Sequence, residues 1–241
     1  DLRIQQLNRL YAMLTGINET IVREKNQEAM LVTACRIAVE KGLFGLAWIG
    51  LLDADTGRLQ IAAHIGATQE TLEILEAIIN GAQSGAGCAM TTRALASGEH
   101  SVCNDIEHDP EAAGWRADAL CRSYRSMASL PLKSGVKVIG VFNLYADTAQ
   151  FFDADEMALL DELAADIGFA LGISRREAEL READKRFIKQ RKTLIELTRH
   201  WGGDGDEALL LLRKIAEGAA QTLSVSRVSI WRYNSDRSAI N

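Results

Sequence analysis

Residues 124–145 read YRSMASLPLKSGVKVIGVFNLY, and this stretch decides the fold. Two mainly apolar runs, Ser126–Leu132 and Val136–Tyr145, are joined by the turn sequence KSG, which is typical of a β-hairpin. Further towards the N-terminus, Phe44–Leu52 (FGLAWIGLL) is apolar throughout and predicts a buried central strand. The turn sequence DADTG leads from it to Arg58–Ile65, which predicts the return strand of a second hairpin. The sequence therefore predicts an antiparallel sheet.

Helical patterns flank this sheet on both sides in the sequence. Glu28–Lys41 is amphipathic, and Gly42 follows it as a helix-ending residue. Asp153 and Glu156 form a capping box, which predicts the start of a long helix. Its first apolar stripe is Met157, Leu160, Leu163, Ala164, Ile167 and Leu171. Between the hairpins the sequence predicts helices over Thr68–Asn80, Ala86–Ala96 and Pro110–Cys121, with a short strand at Ser101–Cys103.

The first 25 residues carry a seven-residue repeat of apolar positions. The positions are Ile4, Leu7, Tyr11, Leu14, Asn18 and Ile21. This spacing favours a coiled coil with a second chain, and a core Asn would fix its register. The alternative is an amphipathic helix packed on its own domain.

The C-terminal third predicts a linker followed by a partial repeat. Ile173, Leu180, Phe187, Leu194 and Trp201 keep a seven-residue step among charged residues, which predicts a second, weaker coiled coil. A helix over Glu207–Thr222 and a strand over Val225–Tyr233 then echo the first helix and strand of the sheet domain. The expected organisation is a signalling helix over 1–25, the sheet domain over 26–172, a coiled-coil linker over 173–203 and the start of a second copy over 204–241.

Composition and charge narrow the class of protein. The chain has 241 residues and a formal net charge of −6, with its basic residues mixed among acids, so we expect no nucleic-acid partner. No apolar run approaches the ~18 residues of a membrane span, and no signal peptide opens the chain. The four cysteines lack CxxC spacing, as expected for reduced thiols in a cytoplasmic protein. Because the chain begins at Asp1, we expect a fragment of a longer protein, without membrane contact in this part.

Several motifs together resemble a known family. They are AWIG (47–50), SVCNDI (101–106), YRSMASLPL (124–132), VIGV (138–141) and NLY (143–145). With these motifs in this order, the chain resembles the GAF family of sensor domains over about Asn26–Leu171. Its closest resemblance is to those found beside PAS domains in bacterial histidine kinases and diguanylate cyclases of two-component and related signal-transduction systems.

The resemblance implies an α+β sandwich with a ligand pocket. The chain-end helices would lie on one face of a central antiparallel sheet, and a lidded pocket for an unidentified small molecule would lie on the other. No cofactor, metal or catalytic residue follows from it. The expected pocket residues are Trp48, Gly50, His64, Cys88, Cys103, Asn104, Asp105, Trp115, Tyr124, Ser126, Met127, Ser129, Asn143 and Tyr145. Asn104 and Asp105 have an alternative role, since Asn and Asp also cap helices and form turns.

The resemblance also implies ligand classes that the sequence fits poorly. Cyclic-nucleotide GAF domains use an Asn-Lys pair, and here Leu144 follows Asn143 in place of the lysine. Bilin-binding members attach pigment through a lid cysteine, but the aromatic and His signature is absent around Cys88 and Cys103. Free methionine sulfoxide reductases share the fold and need convergent thiols, for which Cys88, Cys103 and Cys121 are candidates.

The mechanism that the resemblance favours is conformational. Ligand binding would shift the helices on the opposite sheet face, and the shift would pass to an output domain in the same chain, absent from this sequence. A parallel homodimer through the flanking helices is expected. The alternative is a ligand-free dimerisation and relay unit, which would follow if Trp48, Phe142, Trp115 and Met127 fill the pocket.

Overall fold

The computed structural model describes residues 2–68, 71–73, 89–199 and 206–230. The chain divides into two units, Asp1–Arg175 and Arg176–Asn241, and each is described by itself. The helices are α1 (Leu2–Arg23), α2 (Gln27–Glu40), α3 (Ala89–Ser97), α4 (Arg116–Cys121), α5 (Ala154–Arg199) and α6 (Asp206–Leu223). The strands are β1 (Leu46–Leu52), β2 (Leu59–Ile65), β3 (Ser101–Cys103), β4 (Ser126–Ser134) and β5 (Lys137–Ala146).

The first unit is built on a five-stranded sheet in the order β2-β1-β5-β4-β3. Every neighbouring pair is antiparallel, so both predicted hairpins, β1–β2 and β4–β5, are confirmed. In the β1–β2 turn, Asp53 Oδ1 accepts hydrogen bonds from the Thr56 amide and hydroxyl, both at 2.7 Å. β1 lies between β2 and β5 and is buried over most of its length, which explains its continuous apolar sequence.

One face of the sheet packs against α1, α2 and the first part of α5. Side chains from alternate positions of the strands, such as Ile49, Leu130 and Phe142, form one core with these helices. The predicted capping box starts α5: the Glu156 amide donates to Asp153 Oδ1 at 2.8 Å, and the Asp153 amide donates to Glu156 Oε2 at 3.4 Å. All six residues of the predicted α5 stripe are buried. The helical layer thus sits directly behind the strands.

The opposite face of the sheet is covered by shorter elements. α3, β3, a single turn of 3₁₀ helix at Pro110–Ala112, and α4 pack there around Trp48, Met127 and Tyr145. Asp109 caps the 3₁₀ turn by accepting from the Glu111 amide at 2.8 Å. Of the predicted helix over Thr68–Asn80, the described residues 71–73 are helical, and the remainder lies outside the described residues. The predicted fold, helices on one face and a covered surface on the other, is confirmed.

α1 packs on its own domain with a different stripe from the predicted seam. Leu10, Met13 and Ile17 are fully buried against the helical core, whereas Tyr11 is 56% exposed. Of the predicted seam, Leu14 is also directed to the core, and Asn18 is only half-buried. The intramolecular stripe is offset from the heptad because α1 has apolar side chains on more than one side. Pairing with a second chain stays a prediction.

The second unit contains the rest of α5 and α6. Leu180 and Phe187 are exposed on α5, and the predicted helix over Glu207–Thr222 is present as α6. Residues 225–230 form no strand, and residues 231–233 of the predicted strand lie outside the described residues. A strand needs a partner for its backbone hydrogen bonds, and no strand pairs with residues 225–230 in the described chain. Among the described residues, no helix has the length and apolar character to cross a membrane.

Candidate ligand-binding site

One row of side chains crosses the whole sheet on the face opposite α1, α2 and α5. Trp48 on β1 is in register with His64 on β2 and with Asn143 on β5. Asn143 is in register with Ser129 on β4, and Ser129 with Ser101 on β3. Directly opposed residues of antiparallel strands project from the same face. These five residues, one from each strand, are called the polar row.

Two hydroxyl groups contact the amide of Asn143. Thr91 on α3 donates from Oγ1 to Asn143 Oδ1 at 3.0 Å, and Ser129 Oγ donates to the same oxygen. All three side chains are buried. In this orientation of the amide, Nδ2 faces away from the two hydroxyls. The contact also ties α3 to the centre of the sheet.

Two buried donors at the centre of the polar row have no hydrogen-bond partner in the described part of the chain. They are Trp48 Nε1 and Asn143 Nδ2, on side chains that are 0% exposed. His64 Nδ1 is a third buried nitrogen without a partner there. Leaving a buried donor unpaired costs about 1–3 kcal/mol, and native proteins keep few such groups. A molecule that brought acceptor atoms to these donors would recover that free energy.

An aromatic cluster lies beside the polar row. The rings of Trp115 and Tyr145 meet edge to face with centroids 6.4 Å apart, and those of Tyr124 and Tyr145 lie 5.3 Å apart. The Tyr124 hydroxyl donates to the Gly66 carbonyl at 3.5 Å. Burial raises the pKa of Tyr124, against the opposing charge of Arg122, so its phenol is neutral near pH 7. The cluster offers apolar ring surfaces next to the unpaired donors.

Burial disfavours the thiolate at Cys35 and Cys103, the two buried cysteines of the described chain. Cys103 is buried on β3, and burial, reinforced by Asp109, raises its pKa to about 12. At neutral pH it is a thiol, whereas nucleophilic attack needs the thiolate. Cys35 packs in the helical core on the other face, and Cys121 is exposed. Cys88 lies outside the described residues.

Three of the predicted pocket residues have other partners. Asn104 donates from Nδ2 to the Phe152 carbonyl at 2.7 Å and accepts from the Phe152 amide at 3.0 Å. Asp105 accepts from the His108 amide at 3.2 Å, closing a turn. Ser126 shares the helix-side parity of β4 and donates to the Thr148 carbonyl at 2.8 Å. The structure therefore does not bring these three side chains to the polar row.

The remaining candidates gather on the face of the polar row. His64, Trp48, Ser129 and Asn143 belong to the row itself. Around it lie Cys103, Trp115, Tyr124, Met127 and Tyr145. Gly50 is beneath them, where an added Cβ would come within 3.0 Å of Leu59 and Trp48.

Two members of the site were missed from the sequence, Thr91 and Ser101. Ser101 Oγ donates to Met90 Sδ at 3.1 Å, so its hydroxyl is occupied. Thr91 reads as an ordinary residue of an apolar helix. Its partners are 38 and 52 residues away in the chain, and no local pattern could have revealed them.

The smaller of two open clefts reaches the polar row at His64, and the larger lies apart from it. Within the described ranges, no group of three or more His, Cys, Asp or Glu side chains is placed to hold a metal ion. A cleft of about 440 Å³ opens at the outer edge of β2, beside His64 and Leu72. A larger one of about 760 Å³ lies between α5 and the β4–β5 hairpin, lined by Lys133, Asp161 and Phe169 among others. That larger cleft does not touch the polar row.

Sequence comparison identifies the family. The profile of the GAF domain family matches residues 24–172. The chain belongs to the GAF domain family, whose members act as sensory or regulatory modules. No curated protein matches the chain in sequence.

Solved structures share the fold at low sequence identity. Free methionine-R-sulfoxide reductase from Neisseria meningitidis, solved in complex with its substrate, is 20% identical, with a TM-score of 0.55 over 70% of this chain and 91% of that one. The GAF domain of a phosphoenolpyruvate-protein phosphotransferase from Coxiella burnetii is 15% identical, with a TM-score of 0.54 over 71% and 97%. The corresponding Acinetobacter domain is 16% identical, with a TM-score of 0.52 over 71% and 95%. At these identities the likeness concerns the fold alone.

Proposed function

We propose that this chain is the ligand-responsive sensory module of a bacterial cytoplasmic signal-transduction protein. A small molecule would bind on the polar-row face and change how the flanking helices are held. The observation that carries the proposal is the pair of buried, unpaired donors, Trp48 Nε1 and Asn143 Nδ2, at the centre of that face. Groups of this kind are costly in a domain that only packs, and they are expected where a ligand completes the hydrogen bonds.

The strands provide a direct mechanical link to the helices. On β5, Asn143 belongs to the polar row on one face, while its neighbours Phe142 and Leu144 lie on the other face, in the core formed with α1, α2 and α5. A displacement of β5 on one face therefore reaches the helices on the other without an intermediate loop. The shift would travel along α1 or α5 to an output domain in the same chain, of kinase, cyclase or other type.

A ligand-free relay unit is the second candidate. Trp48 is 0% and Met127 is 3% exposed, so large side chains occupy much of the sheet face in the described part of the chain. In this version the module serves as a dimerisation and relay element. The donors without partners favour the ligand-binding version over it.

An enzyme of the reductase type is disfavoured. The neighbouring reductase structure shares the fold at 20% identity, which carries no activity to this chain. Because the pKa of Cys103 is raised, this buried thiol stays protonated at neutral pH and is not available as a nucleophile. We therefore assign no catalytic role to the module.

Native mass spectrometry of the 241-residue chain, purified from bacterial cells without denaturation, tests the function. We expect a population heavier than the polypeptide by a small molecule that denaturation releases. Asn143→Leu should reduce that population strongly, because it removes the Nδ2 donor. Ser126→Ala, on the other face of the sheet, is the matched control and should retain it. A bare polypeptide mass in every preparation, with no melting shift in cell extract, would favour the relay unit.

A further inference from the structure

The chemistry of the polar row restricts what can bind there, and this inference rests on the proposed function. Trp48 Nε1 can only donate, and the orientation of Asn143 leaves Nδ2 as a donor. These residues are directly opposed on β1 and β5, so their Cβ atoms are about 4.5–5.5 Å apart. A ligand that satisfies both must bring a hydrogen-bond acceptor to each donor, either as two atoms or as the two lone pairs of one carbonyl oxygen.

The charge of the described residues near the polar row argues against an anion. Residues 59–68, 71–73 and 89–92 contain no Lys or Arg. A buried carboxylate or phosphate without a paired cation is strongly disfavoured.

The arginines of the two covering helices are already engaged. Arg93 on α3 forms an ion pair with Glu111. Arg116 on α4 donates to the carbonyls of Ile106 at 3.1 Å and Asp109 at 2.6 Å. Both guanidinium groups therefore already have acceptor partners within the protein.

The aromatic cluster favours a flat ligand. Trp115, Tyr124 and Tyr145 lie on the same face as the donors, with their rings in edge or tilted contact. Rings arranged in this way accept a further planar group by stacking or by edge contact. The apolar surroundings also strengthen a neutral hydrogen bond relative to one exposed to water.

From these observations we propose that Trp48 and Asn143 bind the carbonyl group of an uncharged, planar molecule of the aromatic amide or lactam class. Trp48 Nε1 and Asn143 Nδ2 would donate to acceptor lone pairs of that molecule, and the aromatic cluster would contact its plane. Nucleotides and carboxylic acids of the same size are disfavoured by their charge.

Matched probe pairs that differ in charge test the class. Nicotinamide is compared with nicotinate, and indole-3-acetamide with indole-3-acetate, on the 241-residue chain labelled with ¹⁵N-tryptophan. The indole N–H signal of Trp48 is assigned by its loss in Trp48→Phe. We expect the amides to shift that signal and to bind at least tenfold more tightly than the acids.

Variants test the two donors separately. Trp48→Phe keeps an aromatic ring and removes the N–H, and Asn143→Leu removes Nδ2. Each should weaken amide binding by roughly tenfold, the effect of one lost neutral hydrogen bond. Ser126→Ala, on the helix-facing side of β4, is the control and should leave the affinity unchanged, because its hydroxyl donates to the Thr148 carbonyl. Circular dichroism checks that each variant is folded, and Trp48→Phe carries the test if Asn143→Leu is not.

The outcomes separate the ligand class from the function itself. Tighter binding of the acids, a retained anion in the native mass spectrum, or amide binding equal in Trp48→Phe and wild type would overturn the class while leaving a sensory module. If no probe shifts the Trp48 signal but the chain retains a molecule, a retained uncharged planar molecule supports the class and any other retained molecule overturns it. If no probe binds and nothing is retained, both proposals fail together.

Discussion

Opposite charges meet with little access to water where α1 contacts the start of α5. Arg9 Nη2 lies 3.6 Å from Glu156 Oε1, and the two side chains are 14% and 3% exposed. The Arg9 guanidinium carbon also lies 4.3 Å from the centre of the Phe151 ring. Burial raises the pKa of Glu156, although a hydrogen bond from Asp153 and the charge of Arg9 act against it. These contacts hold α1 to the capping box at the start of α5.

Arg9→Met should destabilise the first unit in a pH-dependent way. Methionine keeps an apolar stem over Phe151 but leaves the Glu156 carboxylate buried without a cation, which costs about 3 kcal/mol near pH 8. A carboxyl with a raised folded pKa binds its proton more tightly in the folded state. The free energy of unfolding therefore increases as pH falls through the folded pKa towards the ordinary value of 4.5. Urea unfolding of both proteins from pH 5 to pH 8 should show a smaller difference at pH 5.

Glu156→Gln provides the control for this prediction. Glutamine retains the capping geometry and cannot titrate, so in that background Arg9→Met should lose its pH dependence. The double variant should be more stable than Arg9→Met alone near pH 8, since no buried carboxylate is left. Parallel stability curves for wild type and Arg9→Met across this pH range would contradict the assigned role of the pair.

At the scale of elements, α5 approaches the β4–β5 hairpin more closely than a side chain would allow. A Cβ on Gly168 would lie 2.4 Å from the Lys133 carbonyl oxygen and 2.5 Å from its amide nitrogen. One turn later, a Cβ on Gly172 would lie 2.3 Å from Ser134 Oγ. The glycines are required by packing, because the intrinsic helix preference at both positions favours alanine.

Gly168→Ala should therefore destabilise the first unit, by about 1–3 kcal/mol, despite the gain of up to about 1 kcal/mol in helix propensity. Backbone atoms of Lys133 cannot move aside as a side-chain end can. Gly218→Ala on α6 is the matched control, since its Cβ would meet Thr193 at an ordinary 3.6 Å and should stabilise its helix. Thermal and urea unfolding measure both. Stabilisation by Gly168→Ala would mean that the helix and hairpin are not held this closely.

Elements defined by local pattern were predictable, and those defined by tertiary contact were not. The β4–β5 hairpin and the α5 capping box follow from residues a few positions apart, and both are confirmed. The sequence predicts that Gly42 ends α2, and the helix does end just before it, with Lys41 as the C-cap. The left-handed residue, however, is Leu43, with φ 56°, and a Cβ on Gly42 would lie 2.7 Å from Met13 Sδ on α1. A contact between helices cannot be inferred from the sequence of one of them.

The residues of the candidate site were likewise predictable only where local pattern defines them. Trp48, Ser129 and Asn143 were predictable as pocket residues because each lies on a predicted strand of the sheet. The same prediction includes the adjacent residues Ser126 and Met127, although side chains alternate along β4 and these two lie on opposite faces. Strand register and helix placement over long separations decide which side chains of each strand lie opposite the helices, and they also bring Thr91 to the Asn143 amide.

At the scale of the whole molecule, α5 carries an exposed apolar stripe that a second helix could cover. Ile173, Leu180 and Phe187 follow a seven-residue step and are 41%, 68% and 65% exposed. Apolar side chains repeated at this interval form the seam of a two-stranded coiled coil when a second helix covers them. A second copy of the chain supplies an identical stripe, which a parallel arrangement would place in register with the first.

We predict that the chain forms a parallel homodimer at tens of micromolar and that Leu180→Glu with Phe187→Glu converts it to a monomer. Two buried charges per helix facing their like in the partner would remove most of the seam's stability. Sedimentation velocity measures the change in mass, and the melting of the sheet domain should be unaffected because both positions lie beyond Arg175. Val136→Glu, at a fully exposed turn position, is the control and should remain dimeric. A monomeric wild-type chain at these concentrations would instead leave the stripe to a different partner.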